Sequence, residues 1–218
     1  MKLYVVTAPE DRRGVYETWE ACKAAVHGVP GARYQSVATR EEAEAILSGD
    51  GVALAPGLYA FVDGNHKGGV GVVLVRKPAG AAAVALDEVG TSVHAVFDGA
   101  GIPTLETPAA VTAALRRIRN VLAELGALYL ALKRLPASSA ATVVHDYEGV
   151  GAWLTGRWRT KDPTVAAVVD ACRRRIAERG LRVEYRRQRG HQSVYAGANE
   201  FALFNRRADA LAGQAGSR

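Results

Sequence analysis

Only two of the 218 residues are cysteine, Cys22 and Cys172, far apart and without a paired spacing to each other or to histidine. Neither a disulfide framework nor a zinc ligand set is suggested, and a reducing, cytoplasmic setting is expected. Long apolar runs are also missing: no stretch approaches the ~18 residues of a membrane span. The opening MKLYVVTAPED has too short an apolar run for a signal peptide. There is no internal repeat. What is present, 49% hydrophobic and 23% charged residues, is ordinary for a soluble globular chain with a sizeable core.

The formal net charge of +6 is unevenly spread. Residues 1–47 carry six Lys/Arg against seven Asp/Glu, whereas residues 48–218 carry 22 against 15. Ten arginines fall between Arg157 and Arg189. Such a run is either a solvated helix face or a field that attracts phosphate backbones through counterion release.

The pattern predicts an α/β protein in two parts. LYVV (3–6) reads as a strand, Thr18 caps a helix through Ala25, and GARYQSV reads as a second strand. Thr39 followed by Glu42 fits a capping box opening the helix REEAEAIL. That gives a β-α-β-α module over 1–47, near the lower size limit for an independent core. SGDGVALAP has linker composition, so 48–56 is expected to join the module to a larger domain over 57–218. In that domain strands are predicted at 58–63, 69–76, 82–89, 141–145 and 181–188. Helices are predicted at 110–134, 147–156, 164–179 and 200–212. The segment from Asp87 to Pro108 carries no usable motif and reads as a surface insertion.

Four carboxylates and one histidine stand out. Asp63 closes the apolar strand LYAFV and precedes Gly64, so taken alone it reads as an Asp-Gly turn. Asp146 ends ATVVHD just before a helical stretch, where an N-cap is the ordinary role. Glu124 adjoins the helical stripe Val121, Leu125, Leu128 and Leu132. Asp209 lies in a terminal helix, where solvent exposure is the ordinary reading, and His191 in a loop. Several carboxylates beside one apolar sheet repel and are costly to bury unless a cation shares them. Oxygen ligands of this kind suit Mg²⁺ or Mn²⁺.

The succession FVDG, RNVLAE, VVHDYEGV, RGH and NRRADALA on strand, helix, strand, loop and helix resembles the type 1 ribonuclease H family over about residues 58–212. The resemblance implies a ribonuclease H-like mixed five-stranded sheet flanked by helices. It also implies an endonuclease that hydrolyses the RNA strand of RNA/DNA hybrids with two Mg²⁺ ions, Mn²⁺ being a substitute, and leaves 5′-phosphate and 3′-hydroxyl ends. Asp63, Glu124, Asp146 and Asp209 would be the metal-binding carboxylates, and His191 the loop histidine that assists proton movement or product release. Asn120 resembles an asparagine that contacts the minor groove, and Gly64 and Asn65 would touch the RNA strand by backbone groups. The alternative is a non-catalytic protein that binds hybrid or double-stranded RNA through its arginines.

The first module, through GVYETWEACKAAVHGVPGARYQSV, resembles the hybrid-binding domain that precedes the nuclease in many of these enzymes. Tyr4, Trp19 and Tyr34 would then meet the duplex, where the 2′-OH allows RNA to be told from DNA. Read without the resemblance, Trp19 and Tyr34 are core residues of a tiny domain. A lysine pair common in that family is replaced by Gln35 and Ser36, so weak phosphate affinity is expected. The interval from His191 to Asp209 is longer than in compact family members. No membrane and no obligatory protein partner are implied.

Overall fold

The computed structural model describes residues 2–48, 54–188 and 200–216. The chain divides into two compact units, and along the sequence the first gives way to the second between Leu54 and Ala55. Most of the expected linker, residues 49–53, lies outside the described residues.

In the first unit β1 (Leu3–Ala8) is the centre of a three-stranded antiparallel sheet, between β2 (Gly14–Tyr16) and β3 (Arg33–Val37). Successive side chains alternate across the strand. Val6, with Tyr4 beside it, joins Cys22, Ala25 and Val26 of α1 (Trp19–Val26) in one small core. α2 (Arg40–Ser48) packs against β1 and buries Ala43. Both predicted caps are present. Thr18 Oγ1 accepts from the Ala21 N–H at 3.1 Å, and Thr39 Oγ1 from the Glu42 N–H at 3.1 Å. The Glu42 carboxylate reaches back to the Ala38 N–H at 2.9 Å, one residue upstream of a standard capping box. The expected β-α-β-α order needs correction: β2 adds a strand. Its three residues are too few to show an alternating pattern, and only their pairing with β1, Tyr4 opposite Tyr16, defines them.

The second unit holds a mixed five-stranded sheet in the order β6-β5-β4-β7-β8. β4 (Gly57–Gly64), β5 (Gly69–Lys77) and β6 (Val84–Ser92) form an antiparallel meander. β7 (Ala140–His145) and β8 (Arg182–Arg187) run parallel to β4. The helices are α3 (Val93–Phe97), α4 (Pro108–Ile118), α5 (Asn120–Arg134), α6 (Gly149–Leu154), α7 (Pro163–Glu178) and α8 (Glu200–Ala215), the last belonging to this unit from Phe204 onward. The expected mixed sheet flanked by helices is thus the observed fold.

β4 is buried at every residue from Leu58 to Gly64, as a central strand covered on both faces must be. Leu58, Ala60 and Val62 enter the main core with Leu122, Leu125, Leu128 and Leu132 of α5. Each fully buried leucine there contributes about 1.5–3 kcal/mol. Tyr59, Phe61 and Asp63 take the other face, where the Phe61 ring lies 5.5 Å from that of Phe204 on α8.

Two elements differ from the sequence expectation. The single helix expected over 110–134 is two helices, broken at Arg119, which has φ 45°. The apolar period runs on across the break, so the pattern gives no sign of it. The segment from Asp87 to Pro108 is no surface insertion. It completes β6 and then folds inward, burying Val93, Val96, Phe97, Ile102 and Leu105 in the main core. Among the described residues no helix is long and apolar enough to cross a membrane.

Candidate metal centre and nucleic-acid surface

Three of the four predicted carboxylates meet. One oxygen from each of Asp63, Glu124 and Asp146 lies within 4.8 Å of the others. The sheet explains two of them. β4 and β7 are parallel with Phe61 opposite Val144, so Asp63 within β4 and Asp146 just past the end of β7 each stand two residues further along the chain. Both therefore emerge at the carboxyl ends of parallel strands, where open α/β sheets bind ligands.

Glu124 arrives from the second turn of α5. That helix is pressed against the end of β4 because Gly64 has no side chain: a Cβ there would overlap the backbone of Ala123 and Glu124. The ordinary local roles of the two aspartates do not apply. Asp63 and Gly64 are both within β4, and the turn that follows is Asn65–Gly68, closed by the Gly68 N–H on the Asn65 carbonyl at 3.0 Å. α6 begins at Gly149 with Glu148 as its N-cap residue, so Asp146 caps nothing.

The electrostatics of the cluster favour a cation. Asp63 and Glu124 are 8% and 3% exposed, values at which ionised carboxylates need compensation. Burial pushes the Glu124 carboxyl well above its ordinary range. The charges of Asp146 and Asp63 and a hydrogen bond with Asp146 push it the same way, while the Gly64 N–H pulls it back. Glu124 Oε2 is buried without a hydrogen-bond partner. An acceptor with no donor, inside an all-oxygen set of like charges, fits a hard divalent ion.

A pH dependence follows. The folded-state value of Glu124 is raised, so the stability linked to its protonated form is full below the ordinary carboxylate pKa. It is lost as pH rises through the folded value. A divalent cation competes with that proton, so the rise in Tm produced by Mn²⁺ should grow with pH across this window. Glu124→Gln should raise the metal-free Tm at neutral pH by about 2–4 °C, the effect of about 1 kcal/mol in a domain of this size. The same change should abolish the Mn²⁺ response. Differential scanning calorimetry with Mn²⁺ and with EDTA, at several pH values, reads both.

Asp209 is exposed on α8 and lies outside the three-residue group. Its neighbour Ala208 sits over Gly71, the cross-strand partner of Asp63. Gly71 is in turn opposite Gly90 on β6, and these two glycines form a trough that admits the backbone of α8 at Ala208 and Leu211. Asn65 fastens the same helix, donating from Nδ2 to the Ala212 carbonyl at 2.7 Å, while its own N–H bonds the Gly69 carbonyl. Asn120 is exposed at the start of α5, one turn before Glu124. His191 lies outside the described residues.

Sequence reasoning missed the groups around Asp146. Arg187 on β8 donates from Nε to the Asp146 carbonyl at 3.2 Å and from Nη1 to the Glu148 carboxylate at 2.7 Å. No spacing links residues so far apart. The parallel pairing of His145 with Arg187 is the signal that would have found them. Other arginines of the basic run also serve the fold: Arg179 donates to the Leu135 carbonyl at 2.6 Å and Arg173 to that of Trp153 at 2.8 Å.

In the first unit Trp19 lies between Tyr4 and Tyr34, with ring centroids 5.5 Å from each. Trp19 is 38% exposed and Tyr34 45%, which places them on the surface and not in the core. Residues 2–47 match the Ribonuclease H1 N-terminal domain. The chain is also similar in structure to an RNase H1 from the halophilic archaeon Halobacterium salinarum, at 20% identity and TM-score 0.44, covering 72% of this chain and 96% of that one. An RNase H1 isolated from compost by a metagenomic approach gives 19% identity and TM-score 0.46, covering 75% and 97%. The N-terminal RNase H domain of a Mycobacterium tuberculosis protein gives 19% and 0.45, covering 74% and 99%. Comparison with curated proteins yields no match.

Proposed function

We propose that the protein is an endonuclease that hydrolyses the RNA strand of RNA/DNA hybrids, its first unit serving as a hybrid-binding domain and residues 57–218 as the catalytic domain. The observation that carries this reading is the convergence of Asp63, Glu124 and Asp146 at one end of a mixed sheet. The match of residues 2–47 to the Ribonuclease H1 N-terminal domain supports it.

Asp63, Glu124 and Asp146, with Asp209, would hold two cations of the Mg²⁺ type, Mn²⁺ serving as a substitute. When bound, such ions would neutralise charge on the phosphodiester and lower the pKa of a water so that it can attack as hydroxide. The chain's own part is positioning. β4 fixes Asp63, and the close approach of α5 to Gly64 fixes Glu124. Gly64 and Asn65 lie beside Asp63, where the RNA strand would pass. Asn120 presents its amide to base edges in the minor groove, and His191 moves a proton or eases release of product. Water attacks phosphorus in line and the bond to the 3′ oxygen breaks, which leaves 3′-hydroxyl and 5′-phosphate ends.

Tyr4, Trp19 and Tyr34 would pack against the duplex of the hybrid, and contacts to the 2′-OH would select the RNA strand. Trp19→Ala is expected to weaken hybrid binding in EDTA by about tenfold, the loss of one aromatic platform. The rate at saturating substrate should be unchanged. Fluorescence anisotropy of a labelled hybrid, beside single-turnover cleavage, checks both parts.

The function is tested with end-labelled RNA/DNA hybrid, double-stranded RNA and double-stranded DNA in Mg²⁺ or EDTA. Metal-dependent cleavage confined to the RNA of the hybrid, with 5′-phosphate ends, is the expected result. Binding without cleavage in Mg²⁺ and Mn²⁺ alike would make this a recognition protein.

A further inference from the structure

Of the three clustered carboxylates, Asp63 belongs to β4 and Glu124 to α5, so their backbones are held by a ladder and a helix. Asp146 has no such support. It follows the last residue of β7 and precedes α6, in a connection of three residues outside regular structure. Its position is nonetheless fixed from several sides. The Arg187 guanidinium spans the Asp146 carbonyl at 3.2 Å and the Glu148 carboxylate at 2.7 Å. The His145 ring places Nδ1 3.0 Å from the Tyr147 carbonyl, to which it donates, and the Gln188 N–H bonds the His145 carbonyl at 2.7 Å.

We infer that Arg187 and Glu148 form a clamp that positions Asp146 for metal binding, Arg187 acting through Asp146 and touching neither ion nor substrate. The inference rests on the reading of the carboxylates as a metal site. Two physical points favour it over an ordinary surface ion pair. First, the Arg187 and Glu148 side chains are 46% and 42% exposed, so the pair adds little to global stability. What it supplies is geometry: a planar fork holding a main-chain carbonyl and a carboxylate at once, one residue on either side of Tyr147. Second, Glu148 balances the guanidinium, so a cation site can have an arginine beside it without losing its attraction for divalent ions.

The outer partners of metal ligands typically set affinity within about 10–100-fold. Isothermal titration of the full chain with Mn²⁺ reads this without reference to activity. Arg187→Ala is expected to weaken Mn²⁺ binding by about 10–100-fold while the metal-free Tm stays close to native. Arg187→Lys should recover only part of the loss, because an ammonium keeps the charge without the fork. Glu148→Ala should weaken binding too, and adding it to Arg187→Ala should cost nothing further, since the two act as one unit. Native affinity in Arg187→Ala, full recovery in Arg187→Lys, or additive losses in the double variant would each overturn the clamp. Asp146→Asn is the control. If the native protein binds no Mn²⁺ and resembles Asp146→Asn, the metal site itself fails and takes the clamp with it. If the native protein binds, Asp146→Asn does not and Arg187→Ala binds as tightly as native, the clamp alone fails.

Discussion

Asp63→Asn is expected to lower cleavage of an RNA/DNA hybrid by about 10²–10³-fold while leaving the fold intact, as befits loss of one preorganised electrostatic group. The substitution is nearly isosteric, and the position is 8% exposed in a strand paired on both sides. Neither packing nor register therefore has reason to change. What changes is charge. One of three crowded carboxylates becomes neutral, which removes a source of repulsion on Glu124 and should raise the metal-free Tm slightly. Activity and metal-free stability are thus expected to move in opposite directions, a pattern that accidental unfolding cannot produce. Single-turnover cleavage with enzyme in excess, beside calorimetry in EDTA, measures both. Cleavage at the native rate would remove Asp63 from the site.

Gly64→Ala is expected to be strongly destabilising. The added carbon would fall on the backbone of Ala123 and Glu124, which cannot swing aside as a side chain can. Either α5 shifts away from β4, carrying Leu122, Leu125 and Leu128 with it, or β4 distorts beside Asp63. Overpacking of this kind costs about 3 kcal/mol, so a fall in Tm of roughly 6–12 °C is expected. A shift of α5 also moves Glu124, so Mn²⁺ affinity should fall even where the variant remains folded. Thermal unfolding and Mn²⁺ titration of Gly64→Ala test the two consequences separately. An unchanged Tm would mean that the close approach of helix and strand is not what seats Glu124.

Much of this site was legible before the fold was known, and the reasons are local. Asp63 and Asp146 each end a β-rich run, and Glu124 adjoins an apolar helical stripe. What spacing could not give was convergence, which depends on β7 lying parallel beside β4 with Phe61 opposite Val144. The same dependence hid Arg187, which meets Glu148 only because β8 pairs with β7. Other features were missed for want of length or period. β2 has three residues, and the break at Arg119 interrupts the backbone without interrupting the apolar pattern. Residues 93–105 were read as surface because Val93, Val96 and Phe97 make a single helical turn, too short for a period to register. In the first unit the location of Trp19 and Tyr34, core or surface, was open in the sequence. Their exposure places them on the surface, a quantity no pattern supplies.

The measurement that bears most directly on the proposed metal site is the anomalous difference density of crystals grown with Mn²⁺. A peak about 2–2.5 Å from oxygens of Asp63, Glu124 and Asp146 is expected, and Asp63→Asn should remove or weaken it. Crystals with no peak among these carboxylates, at Mn²⁺ concentrations that support cleavage, would show that the three acids are not where the metal acts.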